Sequence, residues 1–278
     1  MSLKGLNRIG YILTSILQFS DIHFGTEDAE ALAAARNYTD EISPDLILIC
    51  GDITQNGKIE EFEAAADWIN KVKAPKLITP GNHDTPVFGI LHRLFNPFGR
   101  YNTYIEPLSL TEYRDKNVII QSYNSSRGVQ LKFDWSLGVI NLQDLNQKIQ
   151  NLKKAPPHIL KMIAVHHPLI YPDVSPLQVS TKNGHEAVKL LSDANIDAVL
   201  SGHVHAPFVV EREPGQTQLL SIGSGTLSTR MRGKPASFNH IEIDATKLSI
   251  TAVDWSDNKY VRAKSWVKRR DALSATEE

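Results

Sequence analysis

A chain of 278 residues, 41% hydrophobic and 22% charged, has the make-up of an ordinary soluble globular protein with room for a large core. Its formal net charge of -1 gives no bulk basic field for a nucleic acid or an anionic membrane. The one cysteine, Cys50, excludes a disulfide framework and a thiolate metal cluster; inside the apolar run Asp45–Cys50 it is expected to be a small buried hydrophobe.

Tyr11–Phe19 predicts a strand rather than a signal peptide, because the run is short and passes into Gln18-Phe-Ser-Asp21 without a small-residue cleavage site. No apolar stretch reaches the roughly 18 residues of a membrane span, so a cytoplasmic protein without membrane partners is expected. Glu27–Ile42 predicts a helix, with Thr26 as its N-cap. Asp45–Cys50 reads as a strand covered on both faces. Ile59, Phe62, Ala66, Ile69 and Val72 form a helical stripe that ends at Pro75, and Lys76–Thr79 is a short strand. This β-α-β-α-β order implies a largely parallel sheet with helices on its faces.

Residues 86–104 read as an excursion over one rim. A strand follows at Val118–Gln121, then a helix at Asn141–Lys154, a strand at Ile159–Val165, a helix at Asn183–Asp193 and a strand at Asp197–Leu200. From Phe208 onward the runs Phe208–Arg212, Gln218–Ile222, Phe238–Ile243 and Leu248–Val253 suggest a second, more antiparallel sheet. With no repeat and no low-complexity linker, one α/β domain over residues 1–278 is expected, with a core of about 11–268 and a loose tail at 269–278.

Five of these strands end in polar, metal-competent residues: Asp21-Ile-His23, Gly51-Asp52, Gly81-Asn-His-Asp84, His166-His-Pro168 and Gly202-His-Val-His205. In an open α/β sheet ligands bind outside the carboxyl ends of the strands, so one rim gathers them all. Alternate residues of an extended segment point the same way, so Asp21 with His23, and His203 with His205, can each aim two donors at one place. The set is oxygen and imidazole nitrogen, which suits manganese, iron, zinc or a similar ion. Each motif alone has a structural explanation as a turn or a satisfied histidine, and His167 is expected to be such a histidine. Their joint occurrence, taking in five of the ten histidines (His23, His83, His166, His203 and His205), argues for a site.

In this order the motifs, over roughly residues 11–206, resemble the calcineurin-like metallophosphoesterases. The pattern is most similar to the branch of class III cyclic-nucleotide phosphodiesterases and glycerophosphodiesterases. The resemblance implies an αββα sandwich, two facing mixed β-sheets flanked by helices. It implies two divalent or mixed-valence metal ions. Asp21, His23 and His205 would hold one, Asn82, His166 and His203 the other, and Asp52 would bridge them. It also implies that His83 stands near the leaving group, with Asp84 behind it fixing its tautomer.

The expected reaction is hydrolysis of a small phosphodiester by a hydroxide shared between the ions, with His83 protonating the departing alkoxide. His92, Arg93 and Arg100, together with Arg230, Arg232, Tyr123 and Asn124, are candidates for the substrate pocket. A nuclease of the related repair type would want a basic groove. A phosphomonoesterase stays open, as does a homodimer, and a metal-free scaffold is disfavoured because every matching donor position is filled.

Overall fold

The computed structural model describes residues 13–88, 90–129, 136–173, 175, 177, 179–212 and 218–270. In chain order the elements are β1 (Thr14–Phe19), α1 (Ala29–Ile42), β2 (Leu46–Cys50), α2 (Ile59–Lys71), β3 (Lys76–Thr79), α3 (Ile90–Phe95), α4 (Gly99–Tyr104), β4 (Glu112–Arg114) and β5 (Val118–Ser122). They continue with α5 (Leu142–Leu152), β6 (Leu160–Ala164), α6 (Gly184–Asp193), β7 (Ala198–Ser201), β8 (Phe208–Arg212), β9 (Leu219–Gly223), β10 (Ser237–Ile243), β11 (Lys247–Ser256) and β12 (Lys259–Arg269).

Side-chain alternation along the strands builds the layers. In β2, Leu46, Leu48 and Cys50 face inward and meet Val118, Ile120, Met162, Ala164, Ala198 and Leu200 of the opposite sheet. Ile47 and Ile49 point outward against Leu32 of α1 and Phe62 of α2. On the far side, Ile119 and Ile163 pack under Leu145 of α5 and Leu191 of α6. This is the expected αββα sandwich, with two mixed six-stranded sheets ordered β12-β11-β10-β1-β2-β3 and β4-β5-β6-β7-β9-β8.

Several expectations change. Asp28, not Thr26, caps α1, its Oδ1 accepting from Ala31 N at 3.1 Å. Thr26 is drawn back into the preceding turn, its N–H donating to His23 O at 2.8 Å. The late strands do not form a sheet of their own. β8 and β9 complete the second sheet, while β10 pairs antiparallel with β1 and brings β11 and β12 onto the first. Apolar period identifies a strand but not its partner. Residues 86–104 hold two short helices, α3 and α4. The chain stays ordered past Lys268: Arg269 ends β12, and Arg270 donates to the carbonyls of Asp244 and His158. Residues 271–278 lie outside the described residues, as do Tyr11 and Ile12 of the first expected strand.

A buried polar seam fixes the two sheets against each other just below the rim. Gln18 Nε2 donates to Ser201 O at 3.0 Å, and Asn239 Nδ2 donates to Gln18 Oε1 at 3.0 Å and to Gly223 O at 2.9 Å. Such bonds prevent lateral slip that apolar packing alone would tolerate.

Candidate metal centre

Beyond the strand ends the loops continue as a lattice of backbone bonds. Asp21 N donates to Gly51 O at 3.0 Å, His23 N to Asp52 O at 3.0 Å, and Gly202 N to His166 O at 2.9 Å. His203 N donates across the sandwich to Asp21 Oδ2 at 2.8 Å. Within these loops Asp21, His23, Asp52, His203 and His205 all take left-handed backbone angles, with φ between 51° and 67°. Each costs on the order of 1–3 kcal/mol for a residue with a Cβ, and such strain persists only where the surroundings over-determine it.

The side chains converge. His205 Nε2 lies 3.1 Å from Asp21 Oδ1, and His23 Nε2 lies 3.8 Å from both Asp21 Oδ1 and Asp52 Oδ2. His166 Nε2 lies 3.3 Å from Asp52 Oδ2, 3.1 Å from Asn82 Oδ1 and 3.2 Å from His203 Nδ1. Asp52 Oδ2 thus faces both halves of the cluster, and Asp52 Oδ1 is taken by His83 N at 2.8 Å. All seven of these residues, Asp21, His23, Asp52, Asn82, His166, His203 and His205, are buried.

The proton count shows what the cluster needs. His205 Nδ1 donates to Arg230 O at 2.7 Å, so in a neutral ring Nε2 carries a lone pair aimed at another lone pair on Asp21. His166 Nδ1 donates to Cys50 O at 2.7 Å, which in a neutral ring leaves its Nε2 lone pair facing the acceptors Asp52 Oδ2 and Asn82 Oδ1, with His203 Nδ1 beside them. Asp21 Oδ1 and His23 Nε2 are buried without a hydrogen-bond partner. Facing lone pairs repel unless a cation stands between them, and orphaned buried donors of this kind fit metal ions of the nitrogen–oxygen class. Without an ion, protons can relieve the repulsion. Burial alone would push the His166 imidazole down, but the carboxylate of Asp52 overrides it and raises the pKa to about 9. Burial likewise favours a neutral Asp52, yet His166, His83 and His23 hold it well below the usual carboxylate range.

His167 is not part of this set. Its Nε2 donates to Ser136 O at 2.8 Å and its Nδ1 faces Ser125 Oγ at 2.9 Å, so both nitrogens are spent. It is a satisfied core histidine, as the sequence suggested.

A family model for calcineurin-like phosphoesterases matches residues 14–207. The chain belongs to that family. A probable cyclic nucleotide phosphodiesterase of Synechococcus sp. is 26% identical over 255 residues, covering 87% of this chain and 92% of the relative. A probable glycerophosphodiester phosphodiesterase of Arcobacter nitrofigilis is 28% identical over 169 residues, 58% of this chain and 57% of the relative. Among solved structures, a dimetal phosphatase from Danio rerio superposes with a TM-score of 0.66 at 11% identity, covering 91% of this chain and 98% of that one. The purple acid phosphatase PPD1 of yellow lupin gives 0.68 at 14% identity, over 93% of this chain and 54% of that one. The protein is therefore a metallophosphoesterase, and the cluster just described contains groups of residues that could hold a metal ion.

The geometry corrects one role carried over from the phosphoesterase pattern. Asp84 does not touch the His83 ring. It is fully buried, with Oδ1 accepting from Thr54 N and Oγ1 and Oδ2 accepting from Gly81 N. Burial, with Asp52 nearby, raises its pKa to about 6. Its carboxylate ties the β2 and β3 loops together from below, because a charge buried there must spend its lone pairs on the nearest donors. The partner of His83 is a backbone carbonyl instead: Nδ1 lies 2.6 Å from Gln55 O.

The pocket candidates divide just as clearly. Arg93 is buried and donates to Gly128 O and Pro86 O, while Arg100 donates to Gly57 O. Arg232 donates to His203 O at 3.1 Å. Tyr123 turns its hydroxyl to Asn141 O, Asn124 accepts from Ser126 N, and His92 lies exposed on α3. Arg230 reaches the centre, with Nη1 3.4 Å from His23 Nδ1, 3.1 Å from His83 Nε2 and 3.3 Å from Gln55 Oε1. Gln55, and Tyr171 beside His203 at a ring separation of 6.0 Å, carried no sequence signal.

No helix among the described residues is long and apolar enough to cross a membrane.

Proposed function

We propose that the protein hydrolyses a small phosphodiester of the cyclic-nucleotide or glycerophosphodiester type. In this reading Asp21, His23 and His205 hold one ion, Asn82, His166 and His203 hold the other, and Asp52 serves both. One observation carries it: Asp52 Oδ2 stands between His23 Nε2 and His166 Nε2, at 3.8 and 3.3 Å, beside Asp21 Oδ1 and His23 Nε2, which are buried with no hydrogen-bond partner. The substrate class is supported by the names of the relatives.

When bound, a pair of divalent ions generates a nucleophile from water at neutral pH and offsets charge on the phosphoryl oxygens. The chain supplies placement. Asp52 Oδ1, by accepting from His83 N, locks the β3 loop to the β2 loop, so Asn82 and His83 move as one unit with the carboxylate. Gln55 O orients the His83 ring and leaves Nε2 facing the centre. From there His83, when protonated on Nε2 as well, would deliver that proton to the departing alkoxide, a contribution of about 10²–10⁴-fold.

The test is turnover on a panel with added manganese: bis-p-nitrophenyl phosphate, p-nitrophenyl phosphate, cyclic AMP, a glycerophosphodiester and single-stranded DNA. Hydrolysis of the small diesters in preference to the monoester and DNA is expected. A metal-loaded protein that prefers the monoester, or cleaves no diester, overturns the phosphodiesterase reading and leaves the fold untouched.

A further inference from the structure

Of the arginines around the rim, Arg93, Arg100 and Arg232 each spend guanidinium hydrogens on backbone carbonyls. Arg230 differs: the hydrogen-bond partners of its guanidinium are the side chains of His23, His83 and Gln55. Its placement is built. The loop that carries it is pinned to the first metal-ligand loop by Thr226 Oγ1 donating to Asp21 O at 2.6 Å and by Thr229 N donating to Thr26 O at 3.0 Å. Arg230 N lies 3.3 Å from Ser228 Oγ, and Arg230 O receives the His205 ring at 2.7 Å.

A guanidinium only donates, so it needs acceptors. His83 Nδ1 faces a carbonyl, so in the neutral ring Nε2 accepts from Arg230. His23 Nε2 faces the two aspartates, and its Nδ1 accepts from Arg230 only if that nitrogen is bare. With Nε2 committed to an ion, Nδ1 must carry the hydrogen, and two donors then face each other across 3.4 Å. The guanidinium then keeps His83 Nε2 and Gln55 Oε1 as acceptors and has lost the third, so it can turn a hydrogen toward an acceptor beside the centre.

Resting on the metal reading above, we propose that Arg230 is a substrate-binding residue whose guanidinium takes a non-bridging oxygen of the phosphoryl group. The same move frees His83 Nε2, bare while it accepts from Arg230, to take up a proton from water and carry it to the leaving group, so phosphate capture and charging of the acid are coupled through one side chain. The guanidinium fork suits a phosphate, and a lysine would supply only a point charge.

The test compares wild type, Arg230→Ala and Arg230→Lys, loaded with manganese. Metal content is measured by elemental analysis and binding of inorganic phosphate by calorimetry. Arg230→Ala should keep two ions per chain, because the carbonyl that orients His205 belongs to the backbone, and should bind phosphate about 10–100-fold more weakly. Arg230→Lys should fall between. Wild-type phosphate affinity in Arg230→Ala with both ions present overturns the proposal. So does loss of ions in both variants, which would make Arg230 a prop for the imidazoles. A wild-type protein that takes up no ions overturns the metal reading itself, an outcome distinct from these two.

Discussion

A glycine packs tightly against the carboxylate at the middle of the centre, and that fit can be tested with one methyl group. A Cβ added at Gly81 would stand 2.1 Å from Asp52 Oδ1 and 2.2 Å from Asp52 N. Ordinary contact begins near 3.4 Å, so a gap of about 1 Å must open against a backbone atom that cannot rotate away. Gly81 is absent from the glycines with left-handed φ, so contact alone sets the cost of alanine there. Overpacking of this kind costs about 1–3 kcal/mol in stability. The larger effect is local, because the displaced group is the carboxylate that faces both His23 and His166. A misplacement of about 1 Å at a reacting centre costs on the order of 10²-fold in rate. Gly81→Ala should therefore fold, hold fewer than two ions per chain, and turn over bis-p-nitrophenyl phosphate at least about 100-fold more slowly. Gly233→Ala is the control: its Cβ meets nothing within 4 Å and pays only the strain of φ +74°. Metal content by elemental analysis, turnover and thermal melting separate the two. A Gly81→Ala protein with two ions and undiminished turnover would refute the claim that Asp52 must sit where this loop holds it.

His83→Ala should keep its ions and lose most with alkoxide leaving groups, while p-nitrophenolate, which departs readily, narrows the loss; equal losses on both ester types would exclude proton donation. Burial, then the nearby charge of His166, lowers the His167 pKa to about 3, against 6.5 for an ordinary histidine. A base depressed in the folded state is protonated first in the unfolded chain, so its stabilising contribution is full above pH 6.5 and is lost as pH falls toward 3. At pH 5 the deficit is about 2 kcal/mol, from about 1.5 units at 1.36 kcal/mol each. Urea unfolding of metal-stripped protein at pH 7.5 and pH 5 should show His167→Gln losing that much less across the interval than wild type; an equal loss in both would contradict the neutral, buried assignment.

What could be read in the sequence follows from which forces act locally. Strands buried on both faces, such as Leu46–Cys50 and Leu160–Ala164, announce themselves as continuous apolar runs. The donor residues could be read because each follows its strand directly, so chain order alone brings Asp21, Asp52, Asn82, His166 and His203 to one rim. β12 escaped because it is an edge strand with most side chains exposed, and charges such as Lys264 and Lys268 erase the apolar alternation. Its hairpin rests on Asp257 and Asn258, both with positive φ, a turn chemistry the sequence does contain. Arg230 could only be suspected, since it lies 175 residues from Gln55 and 147 from His83. What fixes it is a bond between Thr229 and Thr26, two residues unremarkable in themselves.

The same division explains why Asp84 was misplaced. Adjacency in a motif suggests that it serves its neighbour His83, yet the two lie in a turn beyond β3, where neighbouring side chains are sent in different directions. Here His83 turns toward Gln55 O and Arg230, while Asp84 turns down to Thr54 and Gly81. The left-handed angles at Asp21, His23, Asp52, His203 and His205 belong to the same account. Five strained residues with side chains are held in place only because loops from both sheets bond to one another, so the strain is set by the sandwich rather than by any one motif. If this set holds ions as proposed, their ligands would stand where the hydrogen-bonded backbone of both sheets places them.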